Sequence, residues 1–379
     1  MSDRETHDIV VIGAGTTGTA IAFHLTERGL RPLLLDRRGP ASGPSGSSAG
    51  MLRQHYDEPA IIEMARFGCA FLADMQARTG SPSGFVGCGY VVVASEEQAP
   101  GVRATYDAMR AHGVEVELLD IAGLRALEPR LRTDDLAIGC FEPGVGYCDP
   151  LFVAGGLAEA AARAGATWRF GREVTAIVRE GEGYRIELEG GDAILAETCV
   201  VAAGAWSNEL LAPLGGAVPL TLRRGQIGRY RTPSAFGGPG PIVSDHVHEL
   251  WMRPDGADGH YLVGGRGGRP DDVLAGPETE TRGADADRLA DFERELVWRL
   301  PATAGGIWRG SWASFYDFTP DGNPVVDRVP GHERLIVATG GSGHAFKLAP
   351  ALGLAVAELH CDGDVQSFEW SGLRFGRFA

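Results

Sequence analysis

The hydrophobic pattern is clearest at the start of the chain. Ile9 to Ile12 form an unbroken apolar run, which reads as a strand buried on both faces (8–12) rather than one alternating between core and water. GAGTTG follows, and then Thr16 to Arg28 carries Ala20, Ile21 and Leu25 at helical spacing. Leu33 to Leu35 is a second apolar run, closed by Asp36. Strand, turn, helix and strand in this order have the length a parallel crossover needs. Residues 37–53, RRGPASGPSGSSAGMLR, have the composition of a flexible linker, but their place directly after this unit favours a loop that touches a ligand.

The middle of the chain alternates. The pattern predicts a strand over Tyr90 to Ala94, a helix around Ala104 to Ala111, a strand Val114 to Leu119 and a helix that Asp120 caps. Asp149-Pro150 supplies an N-cap and a first-position proline for a helix over Leu151 to Ala164. Strand-like segments follow at 173–178, 184–188 and 198–203. Residues 219–319 read as strands between Gly/Pro turns (Leu220 to Tyr230, Ile242 to Val243, Leu250 to Arg253, Tyr261 to Val263) with one charged helix, Asp285 to Trp298. No repeat of fixed period is evident.

Composition narrows the function classes. The 379 residues predict two or three domains, and 44% hydrophobic content supplies a core, which excludes a disordered chain. Glycine, 55 residues, is about twice the usual share without a three-residue period, which excludes collagen and points to local use. The net charge is −15, with 34 scattered arginines and one lysine, Lys347, so no basic face exists for a nucleic acid. Cys69, Cys88, Cys140, Cys148, Cys199 and Cys361 show neither CxxC nor metal-like clustering, as expected of reduced cytosolic thiols. The start MSDRETHDIVVIGAG lacks the features of a signal peptide, and no run reaches a membrane span of roughly 18 apolar residues. The expectation is a cytoplasmic protein with no membrane partner.

Gly13-Ala14-Gly15-Thr16-Thr17-Gly18 is a GxGxxG turn between strand and helix. Gly13 permits the tight turn, Gly15 lets a pyrophosphate approach the backbone, and Gly18 allows helix to pack on strand. Asp36 ends the second strand, where an acid accepts ribose hydroxyls. The fingerprint alone serves FAD and NAD equally. Two further glycine turns close strand-like runs: VVAAGAWS at 200–207, and LIVATGGSGHAFKLAP at 335–350, where a helix N-terminus would bring its positive end to an anion or an electron-rich ring edge.

GAGTTG with Asp36, SGSSAGMLR (45–53), AGAWS (203–207), TPDGNPVV (319–326) and GGSGHAFKLAPALG (340–353), in this order across nearly the whole chain, resemble FAD-dependent oxidoreductases of the D-amino-acid oxidase class. The resemblance is strongest to the branch of sarcosine oxidase beta-subunit, dimethylglycine dehydrogenase and glycine oxidase. It implies a fold of class α/β plus α+β: a Rossmann-like FAD-binding domain with a second, antiparallel-sheet substrate domain, both discontinuous. Their implied bounds are 1–83, 146–217 and 320–379 for FAD, and 84–145 and 218–319 for substrate. The implied cofactor set is Gly13, Gly15, Thr17 and Gly18 at the pyrophosphate, Asp36 with Arg37 at the ribose, and Ser45 and Ser48 in the flavin loop. Val174 touches adenine through its backbone, Gly204 and Trp206 form the flavin turn, and Gly343, His344 and Lys347 lie under the flavin pyrimidine.

For the substrate, the resemblance implies that Arg53 and Lys347 grip a carboxylate, with Tyr316 in the active site and His55 and Tyr56 beside the cavity. Two cations on one carboxylate would set the neighbouring C–H over flavin N5 in a dry site. The chain departs from the family in three places. Ser314 stands where monomeric sarcosine oxidases place a cysteine bonded to FAD, so FAD is expected to be non-covalent. Gly259 to Gly265 lacks the lysine that activates oxygen in those enzymes, which leaves O2 and an electron-transfer acceptor both open. Trp312 stands where glycine oxidase-like proteins have a carboxylate-gripping arginine, with Arg266 as a substitute.

The leading expectation is therefore oxidation of the C–N bond of a secondary, N-methyl or cyclic amino acid to an imine. Oxidation of a 2-hydroxy acid and a flavin-binding, non-catalytic subunit of a hetero-oligomer are the alternatives, and a homo-oligomer is equally compatible.

Overall fold

The chain is described as a computed structural model covering residues 5–266, 272–279 and 283–378. The parts of the expected domain segments that fall at 1–4, 267–271, 280–282 and 379 lie outside the described residues. Two eight-stranded sheets organise the rest.

The first sheet runs Val325–Val329, His332–Thr339, Ala193–Val201, Thr6–Ile12, Leu33–Asp36, Thr167–Phe170 in space. A hairpin, Val174–Glu180 with Gly183–Leu188, joins it along Ala193–Val201. The central strand Thr6–Ile12 pairs in parallel with both neighbours, as the crossover pattern requires. Its continuous apolar run has a direct cause. Ile9 and Val11 enter the core shared with helices Thr16–Glu27, Pro59–Ala73, Pro150–Arg163 and Ala345–Cys361, while Val10 and Ile12 enter a second core with Ile177, Ile186 and Leu211. A strand covered on both sides has no polar face to show. Asp149 caps the third of these helices by accepting from the Leu151 and Phe152 N–H groups, with Pro150 as its first residue. The helix expected around Ala104 to Ala111 starts earlier, at Ala99, and the strand expected from Val114 shortens to Glu117–Leu119. Asp120 caps the next helix through the Gly123 N–H at 2.8 Å.

The second sheet runs Ile307–Phe318, Thr221–Arg231, His260–Gly265, Leu250–Pro254, Ile242–Asp245, Tyr90–Ala94, Ile138–Glu142, Glu117–Leu119. It is antiparallel but for one pair: Ile242–Asp245 runs parallel to Tyr90–Ala94, so the sheet is mixed where the sequence suggested an antiparallel one. Helix Ala286–Arg299 covers one face through Phe292 and Leu296. Arg299 is fully buried there and bonds Asp245 at 2.6 Å and Asp135 at 2.8 Å. On another face the sheet meets loop 37–53. Ile227, Trp251, Leu262 and Trp312 pack around Ala49 and Met51, Trp312 Nε1 donates to the Ser47 carbonyl at 2.9 Å, and Arg253 Nε donates to that of Ala49 at 2.6 Å. The glycine- and serine-rich segment is thus held from both sides and is not a free linker.

Candidate active site

Between the sheets lies a cavity of about 640 Å³ whose wall includes the glycine turn at one end and Arg53, Tyr316 and Lys347 at the other. Every residue expected at the cofactor or the substrate lines it except Gly18. Gly18 is a packing residue: a Cβ there would stand 1.8 Å from the Gly13 carbonyl oxygen. Gly13 has φ +105°, and its Cβ would meet the Ala202 oxygen at 2.4 Å. At Gly15 the obstacle would be Ser45 Oγ at 2.9 Å, so the turn can stay against the loop only as glycine.

The donor chemistry of this end suits a dinucleotide. The first N–H groups of helix Thr16–Glu27 lack acceptors within the helix and face the cavity wall at Thr16 and Thr17. Ser45 Oγ accepts from Thr16 N–H at 3.2 Å, and Ser48 Oγ from Gly50 N–H at 3.1 Å. The Asp36 carboxylate is aimed by the Ala14, Arg38 and Gly39 N–H groups, each at 2.8 Å, and retains lone pairs for hydroxyls. Val174 lies on the wall beside Glu173. The Arg37 guanidinium lies 4.4 Å over the Trp206 ring and bonds Glu278 at 2.7 Å; Trp206 Nε1 donates to the same carboxylate. Gly204, at φ +53°, is fixed by Thr339 Oγ1 on its carbonyl at 2.8 Å. The residues present fit an extended FAD: a glycine cradle, a helix N-terminus, a ribose acid, and glycine turns at 204 and 340–343 toward the ring end.

At the other end, Tyr316 on strand Ile307–Phe318 is half-buried and wedged between two glycines. Cβ atoms at Gly225 and Gly343 would approach its ring to 2.6 and 3.2 Å. Gly343 has φ +81° and leads into helix Ala345–Cys361, which carries Lys347. Helix Pro59–Ala73 crosses close by at Gly68, where a Cβ would stand 1.9 Å from the Lys347 carbonyl oxygen. His344 Nε2 donates to the Gly322 carbonyl at 2.7 Å, which leaves Nδ1 to accept from Tyr56 O–H at 3.1 Å. Burial, with Lys347 and Arg53 adding to it, takes the His344 pKa down to about 3, so the ring is neutral.

Arg53 spans the Tyr56 ring at 4.3 Å and donates to the His55 carbonyl at 2.7 Å. Lys347 is 4% exposed, and its Nζ reaches only the His344 carbonyl, at 3.5 Å. Among the described residues neither cation has a carboxylate within salt-bridge reach. Burial, and secondarily Arg53, hold the Lys347 ammonium well below the ordinary lysine range. Two cations facing one cavity without an anion form a receptor for one.

Several residues here escaped sequence reasoning. His246 meets His55, which was expected here, edge to face at 5.9 Å, and Glu249 pairs at 3.3 Å with Arg266, the expected substitute cation; His246 and Glu249 are the two that were missed, and all four line the cavity. Burial pushes the His246 pKa down to about 3, helped by Arg266 and Arg53. His55 is held low by burial and then by His246, Arg53 and Arg266. Glu142, at the end of an apolar strand, is 1% exposed beside this cluster. The one signal for it was an acid closing the run Ile138-Gly139-Cys140-Phe141. Glu278 lies in a segment without periodicity and carried no signal.

A family model described as FAD dependent oxidoreductase (DAO) matches residues 8–359. The chain is 28% identical to glycine oxidase of Geobacillus kaustophilus over 93% of its length and 92% of that protein. It is also 28% identical to monomeric sarcosine oxidase of Streptomyces avermitilis over 94% of each. Among solved structures, L-proline dehydrogenase from P. horikoshii superposes with a TM-score of 0.89 at 22% identity, over 99% of this chain and 98% of that one, which shows a shared fold.

Proposed function

The chain belongs to the family of FAD dependent oxidoreductases, and from that premise we propose that it oxidises the C–N bond of a small carboxylate-bearing amine, a secondary, N-methyl or cyclic amino acid, to an imine. The observation that carries this reading is the pair Arg53 and Lys347, one half-buried and one buried, two cations without a carboxylate partner among the described residues, on the wall of the cavity whose other end fits a dinucleotide. Monomeric sarcosine oxidase, among the relatives above, is named for an N-methyl amino acid, and glycine oxidase for a small primary one.

Bound FAD supplies the two-electron acceptor. Arg53 offers a fork of donors, fixed by the Tyr56 ring and the His55 carbonyl, and Lys347 a point charge from the opposite element. Together they orient the substrate by its carboxylate, so that the carbon next to nitrogen is presented at one place. Tyr316, Trp251 and Trp312 line the same cavity and exclude water from that carbon. Loss of hydride requires the free amine, so an ammonium substrate must also shed a proton. The imidazoles of His344 and His246, with pKa values held down to about 3, are poor bases for it.

The remaining assignments belong to the same reading. Gly13, Gly15, Thr17, Asp36, Arg37, Ser45, Ser48, Val174, Gly204, Trp206, Gly343 and His344 contact FAD, with Gly18 packing behind the turn. Segments 1–83, 146–217 and 320–379 form the FAD-binding unit, and 84–145 with 218–319 the substrate unit. FAD is held non-covalently, since Ser314 on the wall offers no thiolate. All six cysteines are free, which supports a reducing compartment such as the cytoplasm. No helix of the described residues is long and apolar enough to cross a membrane.

The test is anaerobic mixing of the FAD-loaded protein with sarcosine, proline, glycine and their decarboxylated amines. Bleaching of the flavin by a carboxylated amine and not by its decarboxylated partner supports the reading; no bleaching by any amine overturns it. Readmitting air then separates O2 from another acceptor by the speed at which colour returns.

A further inference from the structure

Glu142 is buried, ionisable and absent from the cavity wall. It ends the strand Ile138–Glu142 of the second sheet, whereas Arg53 lies in the loop before helix Pro59–Ala73 and Lys347 on helix Ala345–Cys361. One of its oxygens, Oε2, accepts the Gln54 backbone N–H at 2.7 Å and the Gln54 side-chain amide at 3.4 Å. The other, Oε1, has no hydrogen-bond partner. A neutral acceptor would satisfy one backbone N–H equally well. A carboxylate left half-partnered in the interior costs desolvation energy that this bond alone does not repay.

The charges around it give the carboxylate a use. It is electrostatically coupled to Arg53 and Tyr56 of the loop, Cys69 of helix Pro59–Ala73, Lys347 of helix Ala345–Cys361 and Cys140 of its own strand, and Tyr90 is its partner on the next strand. Of these, the cations are Arg53 and Lys347. We propose that Glu142 is a positioning residue of the carboxylate anchor: it clamps the Arg53 loop to the second sheet through Gln54, and its buried, half-partnered carboxylate offsets the positive charge of Arg53 and Lys347. This rests on the reading of Arg53 and Lys347 as that anchor.

The electrostatic directions agree. Glu142 raises the Lys347 pKa against burial, and Lys347 with Arg53 opposes the burial that lifts the Glu142 carboxyl to about 7. A carboxyl titrating near neutrality beside an ammonium held low means that each group's charge depends on the other's. Glu142 does not line the cavity, so its replacement acts on the site through the charge near Lys347 and through the seat of the loop that carries Arg53 and His55.

The experiment titrates the FAD-loaded protein with acetate and benzoate, reading flavin absorbance between about pH 5 and pH 10. Wild type, Arg53→Met, Glu142→Gln and Glu142→Asp are compared, with bound flavin per chain confirming the fold. Wild-type affinity is expected to fall at high pH as Lys347 loses its proton. In Glu142→Gln, which keeps an oxygen for Gln54, that fall is expected to begin at least about one pH unit lower. Glu142→Asp is expected to restore it toward wild type. A Glu142→Gln profile that superimposes on wild type, or that is weakened equally at every pH, overturns the role of the charge. Failure of the anchor itself looks different: the wild type binds neither anion, or Arg53→Met binds them as wild type does. A Glu142→Gln protein that does not retain flavin shifts the decision to Glu142→Asp, whose fall in affinity must then track wild type; a displaced fall overturns the proposal.

Discussion

Replacing Lys347 by methionine separates what the lysine does for the ligand from what it does for the fold. Methionine matches the aliphatic stem and removes the charge. In the folded chain that charge is 4% exposed, and its sole hydrogen-bond partner is the His344 carbonyl at a marginal 3.5 Å. Little is lost within the protein, and a buried ammonium without a salt-bridge partner disappears. A hydrogen bond to a charged group contributes about 1.5–3 kcal/mol, so carboxylate affinity should fall roughly 10- to 150-fold. Stability should move the other way, by about 1–4 kcal/mol in favour of the variant. The sign with pH follows from the lysine's lowered pKa. The folded state binds its proton less readily than the unfolded chain, so wild-type stability rises with pH until the unfolded lysine titrates near roughly 10.4. The advantage of Lys347→Met is therefore largest at neutral and lower pH and fades toward that value. Anion titration of the flavin spectrum measures the first effect, and thermal unfolding at matched FAD across pH the second. Unchanged anion affinity, or a variant less stable at neutral pH, would refute the reasoning.

Three further outcomes can be checked alongside. Gly15→Val drives a side chain into Ser45 Oγ, 2.9 Å from the position of its Cβ, and should weaken FAD binding by at least about tenfold in a flavin-release assay. Glu278→Ala frees Arg37 and Trp206 from their shared carboxylate; since Glu278 is 67% exposed, FAD loss should speed up only about two- to fivefold, with unfolding almost unchanged. With the His344 and His246 pKa values held down to about 3, kcat/KM should show no ionisation from either imidazole near an ordinary histidine value, and a His344→Gln enzyme should keep the wild-type pH profile above that range.

The cofactor end was far more legible in the sequence than the substrate end, for a physical reason. Gly13, Gly15 and Gly18 act through the absence of a Cβ within a few residues of one turn, so spacing alone reveals them, and Asp149-Pro150 announces its helix just as locally. The anchor is different in kind. Arg53 in a loop, Lys347 on a helix and Glu142 on a strand are brought together only by the packing of the two sheets, and nothing local marks Glu142 beyond an acid closing an apolar strand. The family resemblance supplied Arg53 and Lys347 by motif; it gave no view of their shared lack of a counter-ion, which only burial and distances reveal. The parallel pairing of Ile242–Asp245 with Tyr90–Ala94 was equally beyond reach, because the two strands lie about 150 positions apart and neither sequence records its partner's direction.

The most direct test of the central claim is a crystal structure of the FAD-loaded protein with a bound carboxylate such as acetate or benzoate. The carboxylate should lie between the Arg53 guanidinium and Lys347 Nζ, within hydrogen-bond distance of both, with FAD running from Gly13 and Asp36 toward Gly343. A carboxylate seated elsewhere in the cavity, with Arg53 and Lys347 free of it, would contradict the assignment of these two cations as the substrate anchor.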